Sequence, residues 1–95
     1  MNNEHKPNLR ITIRQLKYIV AVHDCKGFRK AADACFVTGP SLQEQVQKAE
    51  SIVGFRIFDR DRRYRGVTVK GSALVRLARE LLGLAYDIES IQPER

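Results

Sequence analysis

Residues 28–54 read FRKAADACFVTGPSLQEQVQKAESIVG, and the architecture of the chain follows from them. Their first part carries a helical stripe of mainly small residues, which another helix can approach closely: Phe28, Ala31, Ala32 and Cys35. A longer helix then begins, because Thr38 is a good N-cap and Pro40 falls in the first turn. Only Phe36-Val37 joins the two helices, so they must cross at a steep angle. This stretch therefore predicts a helix-turn-helix corner.

The longer helix of this corner has two chemically different faces. Spacings of four, three and four residues predict an inward apolar face formed by Leu42, Val46, Ala49 and Val53. The outward face is polar and carries Ser41, Gln43, Glu44, Gln47 and Lys48. Gly54 is expected to end the helix, since glycine readily adopts the left-handed conformation of a C-terminal cap.

Another helix is expected before the corner. Thr12 and Gln15 have the spacing of a capping box, which marks a helix start. Positions i, i+3, i+4 and i+7 then predict a buried face formed by Leu16, Ile19, Val20 and His23. We expect Lys26-Gly27 to end this helix.

Downstream of Gly54 the pattern changes to short strands around a charged turn. Phe55–Phe58 and Gly66–Thr68 are predicted strands, with Asp59–Arg65 as the loop between them. The window 55–70 opposes two acidic residues, Asp59 and Asp61, with six basic ones: Arg56, Arg60, Arg62, Arg63, Arg65 and Lys70. Two strands around a basic turn form a wing. Together with a formal net charge of +6, this wing favours a polyanionic partner.

A long helix is predicted from the cap at Thr68 to about Ile91, before Pro93. Steps of three and four residues form a heptad seam of Leu74, Leu77, Leu81, Leu84, Ile88 and Ile91. The part near Leu74 and Leu77 can pack against the first helix. A helix of about 23 residues is about 35 Å long, more than such a small core covers, so its distal half needs a partner. A second copy of the chain, giving a homodimer, is the simplest one.

The predicted fold class is therefore mainly α, a winged helix-turn-helix with a three-helix core and a two-stranded wing, followed by a long C-terminal linker or dimerisation helix. We divide the chain into an N-terminal arm at 1–8, a DNA-binding domain at 9–68, the linker helix at 69–91 and a tail at 92–95. No apolar run is long enough to cross a membrane, and the first residues lack the apolar segment of a signal peptide. We therefore expect a cytoplasmic protein with no membrane partner.

No catalytic site, cofactor site or metal site is predicted. The two histidines do not complete a nucleophile and base arrangement, and no glycine-rich phosphate loop is present. Cys25 and Cys35 do not have zinc-ligand spacing, so we interpret them as packing residues, with redox sensing as the alternative. The chain is not expected to be an enzyme.

Sequence-specific binding of double-stranded DNA is the function that these parts favour. The start of the longer corner helix can enter the major groove, which assigns DNA contacts to Thr38, Gly39, Pro40, Ser41, Gln43, Gln47 and Lys48. The wing and its flank can reach phosphates or a minor groove through Arg60, Arg62, Arg63 and Arg65. The alternative is an ordinary solvated surface.

Leu9 to about Leu82 resembles the N-terminal DNA-binding domain of LysR-type transcriptional regulators. The matching residues are Ile13 to Val22, Gly27-Phe28, Ala31-Ala32, Val37-Thr38, Pro40-Ser41-Leu42, Gln45-Val46, Glu50, Gly54, Ile57-Phe58, Arg60, Val67-Thr68 and Gly71. The run from Phe28 to Cys35 is most similar to the peroxide-sensor branch. The resemblance implies a bacterial regulator whose linker helices pair antiparallel in a dimer, and a C-terminal effector domain outside this chain.

Three residues depart from the family pattern, which usually has Gln at Gly39, Ser at Gln43 and Leu at Ala49. Glycine offers only its backbone N–H, whereas glutamine can pair with adenine through two hydrogen bonds. We therefore hypothesise that base reading has moved to Gln43, with Ser41 and Gln47 beside it. The alternative function is that of a free-standing or truncated paralogue, which acts by pairing with a full-length regulator.

Overall fold

The computed structural model describes residues 8–61 and 63–94. In these residues the chain order is α1 (Ile13–Cys25), α2 (Phe28–Ala34), α3 (Gly39–Val53), β1 (Phe58–Arg60), β2 (Tyr64–Val67) and α4 (Val69–Glu89). The first three helices pack into one core, the two strands form an antiparallel hairpin, and α4 lies across α1. This is the predicted winged helix-turn-helix with a long C-terminal helix. None of the described helices is both long and apolar enough to cross a bilayer.

The start of α1 confirms the predicted capping box. The amide of Gln15 donates to Thr12 Oγ1 at 3.0 Å, and the amide of Thr12 donates to Gln15 Oε1 at 2.9 Å. The buried face differs from the prediction and consists of Gln15, Leu16, Ile19 and Val22. Val20 and His23 are only half-buried, because α1 packs against three other helices and its contact face is therefore not a single stripe.

The corner between α2 and α3 is built from small residues, as predicted. Ala31 and Ala32 are buried under α3, and the inward face of α3 buries Leu42, Val46 and Ala49. Thr38 caps α3 by accepting from the Ser41 amide at 3.2 Å. Gly54 ends α3 with φ of 82°, in the left-handed conformation that glycine adopts at little cost.

The wing is shifted along the chain relative to the prediction. The strands pair Phe58 with Val67 and Arg60 with Tyr64, so both enter the stretch expected to be a loop. The predicted strand residues before Phe58 have other partners: the Ile57 amide donates to Glu50, and the Ile57 carbonyl accepts from the Thr68 amide. Strand pairing therefore extends further toward the charged turn than the sequence predicted.

Helix α4 begins at the predicted cap, where Thr68 Oγ1 accepts from the Gly71 amide at 2.9 Å. Its buried face is formed by Gly71, Val75, Ala78 and Leu82, and of the proximal heptad seam only Leu74 packs against the core, where it is half-buried. Leu77 was expected to pack inward, and the structure contradicts this, since the side chain is 56% exposed. The reason is steric. A Cβ atom at Gly71 would lie 2.1 Å from the Ile57 carbonyl oxygen, so α4 approaches the core on its smallest residues.

Candidate DNA interface

A groove of about 1160 Å³ lies between the corner and the wing, and we refer to it as the interface groove. Three elements form its walls. The start of α2 contributes Lys26, Gly27, Phe28, Arg29 and Lys30, α3 and its cap contribute Thr38, Gly39, Pro40, Gln43 and Gln47, and the wing and its flank contribute Arg56, Arg60, Asp61, Arg63 and Tyr64. Most of the predicted DNA-contact residues therefore share one concave surface.

Two predicted residues of the recognition helix lie outside the lining of this groove. Ser41 and Lys48 are exposed on α3, where the Lys48 ammonium lies 3.5 Å from Glu44 in a pair one helical turn apart. Such an exposed pair is worth only a few tenths of a kcal/mol, roughly 0.3–0.5, so Lys48 can exchange Glu44 for another anion at little cost.

Gln43 and Gly39 give the α3 wall its polar character and its space. Gln43 Oε1 is buried and has no hydrogen-bond partner among the residues that the structure describes. Buried polar atoms are nearly always hydrogen-bonded in folded proteins, so this oxygen lacks a partner that it can gain if the Gln43 side chain turns outward. A Cβ atom at Gly39 would meet no atom within 4 Å, so the fold does not require glycine there for lack of space.

The basic residues of the α2 wall were not predicted from the sequence. Lys26, Arg29 and Lys30 line the groove, together with Phe28 between them in the sequence. The signal was available, because three basic residues surround the first turn of α2, but only the fold brings them into the same groove as the wing arginines. The groove therefore collects basic residues from two elements, which favours a polyanionic ligand.

The arginines of the wing fall into different environments. Arg63 is exposed and lines the interface groove. The Arg65 guanidinium lies 3.3 Å from Asp61 in an exposed pair. Arg62 lies outside the described residues. The accessible positive charge on the described part of the wing therefore comes from Arg63 and Arg65.

Arg60 was predicted to contact DNA, and the structure gives it a partner within the protein. Its guanidinium makes two hydrogen bonds to the Glu50 carboxylate, at 2.9 and 3.1 Å, and both side chains are nearly buried, at 10% and 13% exposure. Burial raises the pKa of Glu50, but hydrogen bonds from Arg60 and from the Ile57 amide outweigh it and hold that pKa below the usual value of a glutamate. The guanidinium of Arg60 is therefore already paired within the protein, and its contact with DNA stays a prediction from the sequence.

Comparison with known proteins identifies the family. Residues 13–72 match the family model described as bacterial regulatory helix-turn-helix protein, lysR family. The chain belongs to the lysR family. It carries the LysR-type helix-turn-helix DNA-binding domain, with the helices and two-stranded wing of that fold.

Two regulators are similar in sequence to this lysR-family chain. A hydrogen peroxide-inducible genes activator of Haemophilus influenzae is 40% identical over 72 residues, which make up 76% of this chain and 24% of that protein. The HTH-type transcriptional regulator TfdT of Cupriavidus pinatubonensis is also 40% identical over 72 residues, or 76% of this chain and 32% of that protein. The chain thus spans about a quarter to a third of these relatives, and it is equally identical to the peroxide-inducible activator and to TfdT.

A solved structure shares both the fold and the extent of this lysR-family domain. The crystal structure of the CbnR_DBD–DNA complex matches with a TM-score of 0.78 and 32% identity. The match covers 82% of this chain and 90% of that one, so the two molecules correspond over most of their lengths.

The heptad seam of the lysR-family chain lies on the open side of α4. Leu77, Leu81, Leu84 and Ile88 are exposed, and Leu74 is half-buried. Beside the proximal seam is an apolar α1–α4 groove of about 460 Å³, lined by Ile11, Leu16, Val53, Phe55, Lys70, Ala73, Leu74, Leu77, Ala78 and Leu81. A seam and groove of this kind form a continuous apolar surface on one side of the molecule.

The cysteines of the lysR-family chain are both free thiols and both half-buried. Burial raises the pKa of the Cys35 thiol, and the neighbouring Cys25 raises it further. A raised pKa lowers the thiolate fraction and with it the reactivity, which fits packing residues. In the part of the chain that the structure describes, no group of three or more His, Cys, Asp and Glu side chains is arranged to hold a metal ion.

Proposed function

We propose that this chain binds duplex DNA in a sequence-specific way, with the first turns of α3 in the major groove and the wing on the flanking backbone. The observation that carries the proposal is the interface groove, which polar residues of α3 share with basic residues of α2 and of the wing. An α-helix fits the major groove, and each base pair presents a distinct pattern of donors and acceptors there. The similarity to a domain solved as a DNA complex supports DNA as the ligand.

The contacts divide by chemistry into two groups. The first turn of α3, at Thr38, Gly39, Pro40 and Ser41, is proposed to bring the Gly39 N–H and the helix dipole to a phosphate, since proline has no N–H and the Ser41 amide donates to Thr38 Oγ1. Gln43 and Gln47, which line the α3 wall, are the proposed contacts to base edges. Lys48, Arg62, Arg63 and Arg65 are the proposed phosphate or minor-groove contacts. No step of this function needs a catalytic group or a cofactor.

Selection of bound sequences from random duplexes tests the proposal. The purified chain is expected to enrich one motif and to bind it about 10³-fold or more tightly than a scrambled duplex at the same salt concentration. Salt must be held constant because phosphate contacts dominate the affinity of both duplexes. Equal affinity for the enriched and scrambled duplexes would show that binding is only electrostatic.

The proposal includes a homodimer held through α4. Leu74, Leu77, Leu81, Leu84 and Ile88 form the proposed contact, and the adjoining α1–α4 groove can receive apolar side chains of the second copy. Sedimentation of the isolated chain should show a dimer at tens of micromolar, a protein concentration at which even a weakly associating pair is assembled. A monomer that selects no DNA sequence would instead favour pairing with a full-length regulator.

The cellular role follows from these two activities. We propose that the chain acts as the DNA-binding part of a bacterial regulator with an effector domain, in the cytoplasm where bacterial DNA lies. The regulator names of the two sequence relatives support this role. The chain should be fused to an activation domain and tested with a reporter gene that has the selected motif upstream. Reporter expression should then depend on the motif.

A further inference from the structure

One carboxylate joins the recognition helix to the base of the wing. Glu50, near the end of α3, accepts from Arg60 Nη2 at 2.9 Å, from Arg60 Nη1 at 3.1 Å and from the Ile57 amide at 2.9 Å. Two parallel bonds from a guanidinium fix the orientation of both groups as well as their distance. The carboxylate therefore determines both where β1 begins and how it is turned relative to α3.

The same guanidinium also reaches the third wall of the interface groove. Arg60 lies over the Phe28 ring, 5.0 Å from its centre, and Nη1 donates to the Phe58 carbonyl at 3.2 Å. Phe28 opens α2 between the basic residues Lys26 and Arg29, and it packs edge-on against Phe58 and Tyr64 of the wing. One ion pair thus connects α2, α3 and the hairpin.

The wing depends on this connection for its direction. Its strands hold three and four residues and pair only with each other, and an isolated two-stranded hairpin is marginally stable in water. Edge-on contacts of Phe58 and Tyr64 with the Phe28 ring, and hydrogen bonds from Thr68 to the Arg56 and Ile57 carbonyls, also hold the hairpin onto the core. The forked ion pair adds a directional contact between β1 and α3 that none of these makes.

We propose that Glu50 is a positioning residue for DNA binding: through Arg60 it holds the wing at the angle at which Arg63 and the recognition helix reach the same duplex. In this role Glu50 and Arg60 act through their ion pair and need no contact with DNA. The inference rests on the proposed function, because it assumes that Arg63 contacts the duplex. It adds that the affinity contributed by Arg63 depends on the nearly buried carboxylate of Glu50, on another element.

A double-mutant cycle on the selected duplex tests the inference. Arg63→Ala alone should weaken binding about tenfold. A loss of this size leaves room for a coupling energy in the range that double-mutant cycles measure between interacting residues. In a Glu50→Gln background, the same Arg63→Ala change should weaken binding less than about twofold, because the wing no longer presents that arginine. Glu50→Gln alone should also make the negative slope of log K against log salt shallower by about 0.9, the value for one phosphate that is no longer neutralised.

Two further variants separate positioning from folding. Arg60→Lys keeps the charge but loses the fork, so it should retain the helical circular dichroism and still reduce the effect of Arg63→Ala; this variant decides the matter if Glu50→Gln does not fold. Glu80→Gln is the matched control, since Glu80 forms an exposed pair with Arg76 on α4, with an N–O distance of 3.7 Å. It should leave the tenfold effect of Arg63→Ala unchanged.

The outcomes distinguish the inference from the proposed function. An effect of Arg63→Ala that is equally large in the wild-type, Glu50→Gln and Arg60→Lys backgrounds overturns the positioning role and leaves DNA binding intact. A wild-type chain that selects no motif, and whose weak binding is insensitive to Arg63→Ala, overturns the proposed function and the inference with it.

Discussion

Gln43 and Gly39 stand one helical turn apart on the α3 wall of the interface groove, and they offer a base pair different things. Gln43 brings an amide whose Oε1 is buried and has no partner among the described residues, whereas Gly39 leaves open space. An unfilled space near the first turn contributes no discrimination between bases. A glutamine amide can pair with adenine through its N6 and N7 atoms. Specificity at this wall should therefore depend on Gln43.

Gln43→Ala is expected to relax the preference at one base-pair position by about 1–3 kcal/mol and to leave non-specific affinity nearly unchanged. Gly39→Gln should add a contact and shift the selected motif, since a Cβ atom at that position meets no atom of the protein within 4 Å. Selection on random duplexes measures both changes. Gln92→Ala, in the exposed tail, is the matched control. Identical motifs for the wild type and Gln43→Ala would refute the role of Gln43.

The ion pair of Glu50 has a consequence for stability in acid. Its pKa is lowered in the folded chain, so the stabilisation is fully present above the unfolded value, near 4.5, and is lost as pH falls through the folded pKa. The free energy of unfolding, from urea titrations between pH 7 and pH 3, should drop more steeply for the wild type than for Glu50→Gln. Parallel curves for the two proteins would contradict this assignment.

Helix ends were predictable from the sequence because caps are local. Thr12, Thr38, Thr68 and Gly54 all end or begin helices where their chemistry indicates. The direction of a helix face is not local. In α4 two patterns of three-and-four spacing interleave, one of leucines and one on Gly71, Val75, Ala78 and Leu82, and only the close approach to Ile57 selects the second as the buried one.

At the candidate site too, side-chain roles set by local sequence could be predicted, and roles set by distant residues could not. The polar face of α3 could be identified from its spacing, whereas the role of Arg60 could not, because its partner Glu50 lies ten residues away on another element. The register of the wing was missed for the same reason, since Ile57 bonds to Glu50 and Thr68 and is not a strand residue. Non-local hydrogen bonds therefore account for both features that the sequence did not predict.

Charged residues on the outer seam of α4 should produce a folded monomer. Leu81→Glu together with Leu84→Glu places two carboxylates on the proposed contact, and burying them unpaired is costly. Sedimentation should show half the mass, helical circular dichroism should persist, and affinity for a two-half-site duplex should fall about tenfold or more. Tyr86→Glu, exposed but off the seam, is the control. A double variant that remains dimeric would exclude this seam.

At the scale of the whole molecule, the two surfaces described above have different chemistry. The interface groove gathers basic residues of α2 and of the wing, whereas the seam and the α1–α4 groove are apolar. Lys70 belongs to the basic window in sequence but lines the apolar groove, near the Phe55 ring. Under the proposed function, the first surface is for DNA and the second is for another copy of the chain.

Removal of the wing charge should weaken binding to every duplex alike. The variant Arg62→Ala/Arg63→Ala/Arg65→Ala is expected to make the negative slope of log K against log salt shallower. The change should be up to about 0.9 for each phosphate that the variant leaves without a basic partner. The ratio of affinities for the selected and scrambled duplexes should change little. Lys70→Ala, on the apolar side, should leave the slope close to that of the wild type. An unaltered slope in the triple variant would remove the wing from the interface.

The close approach at Gly71 bears on how this domain can diverge over generations. Any replacement there introduces a Cβ atom 2.1 Å from a backbone oxygen, which cannot move aside as a side chain does. Gly27 and Gly83 have open space around them and can drift to other residues. Under the proposed function, substitutions at Gly39 can change the preferred DNA sequence without disturbing the fold. A substitution at Gly71 is expected to be eliminated by selection wherever α4 is retained.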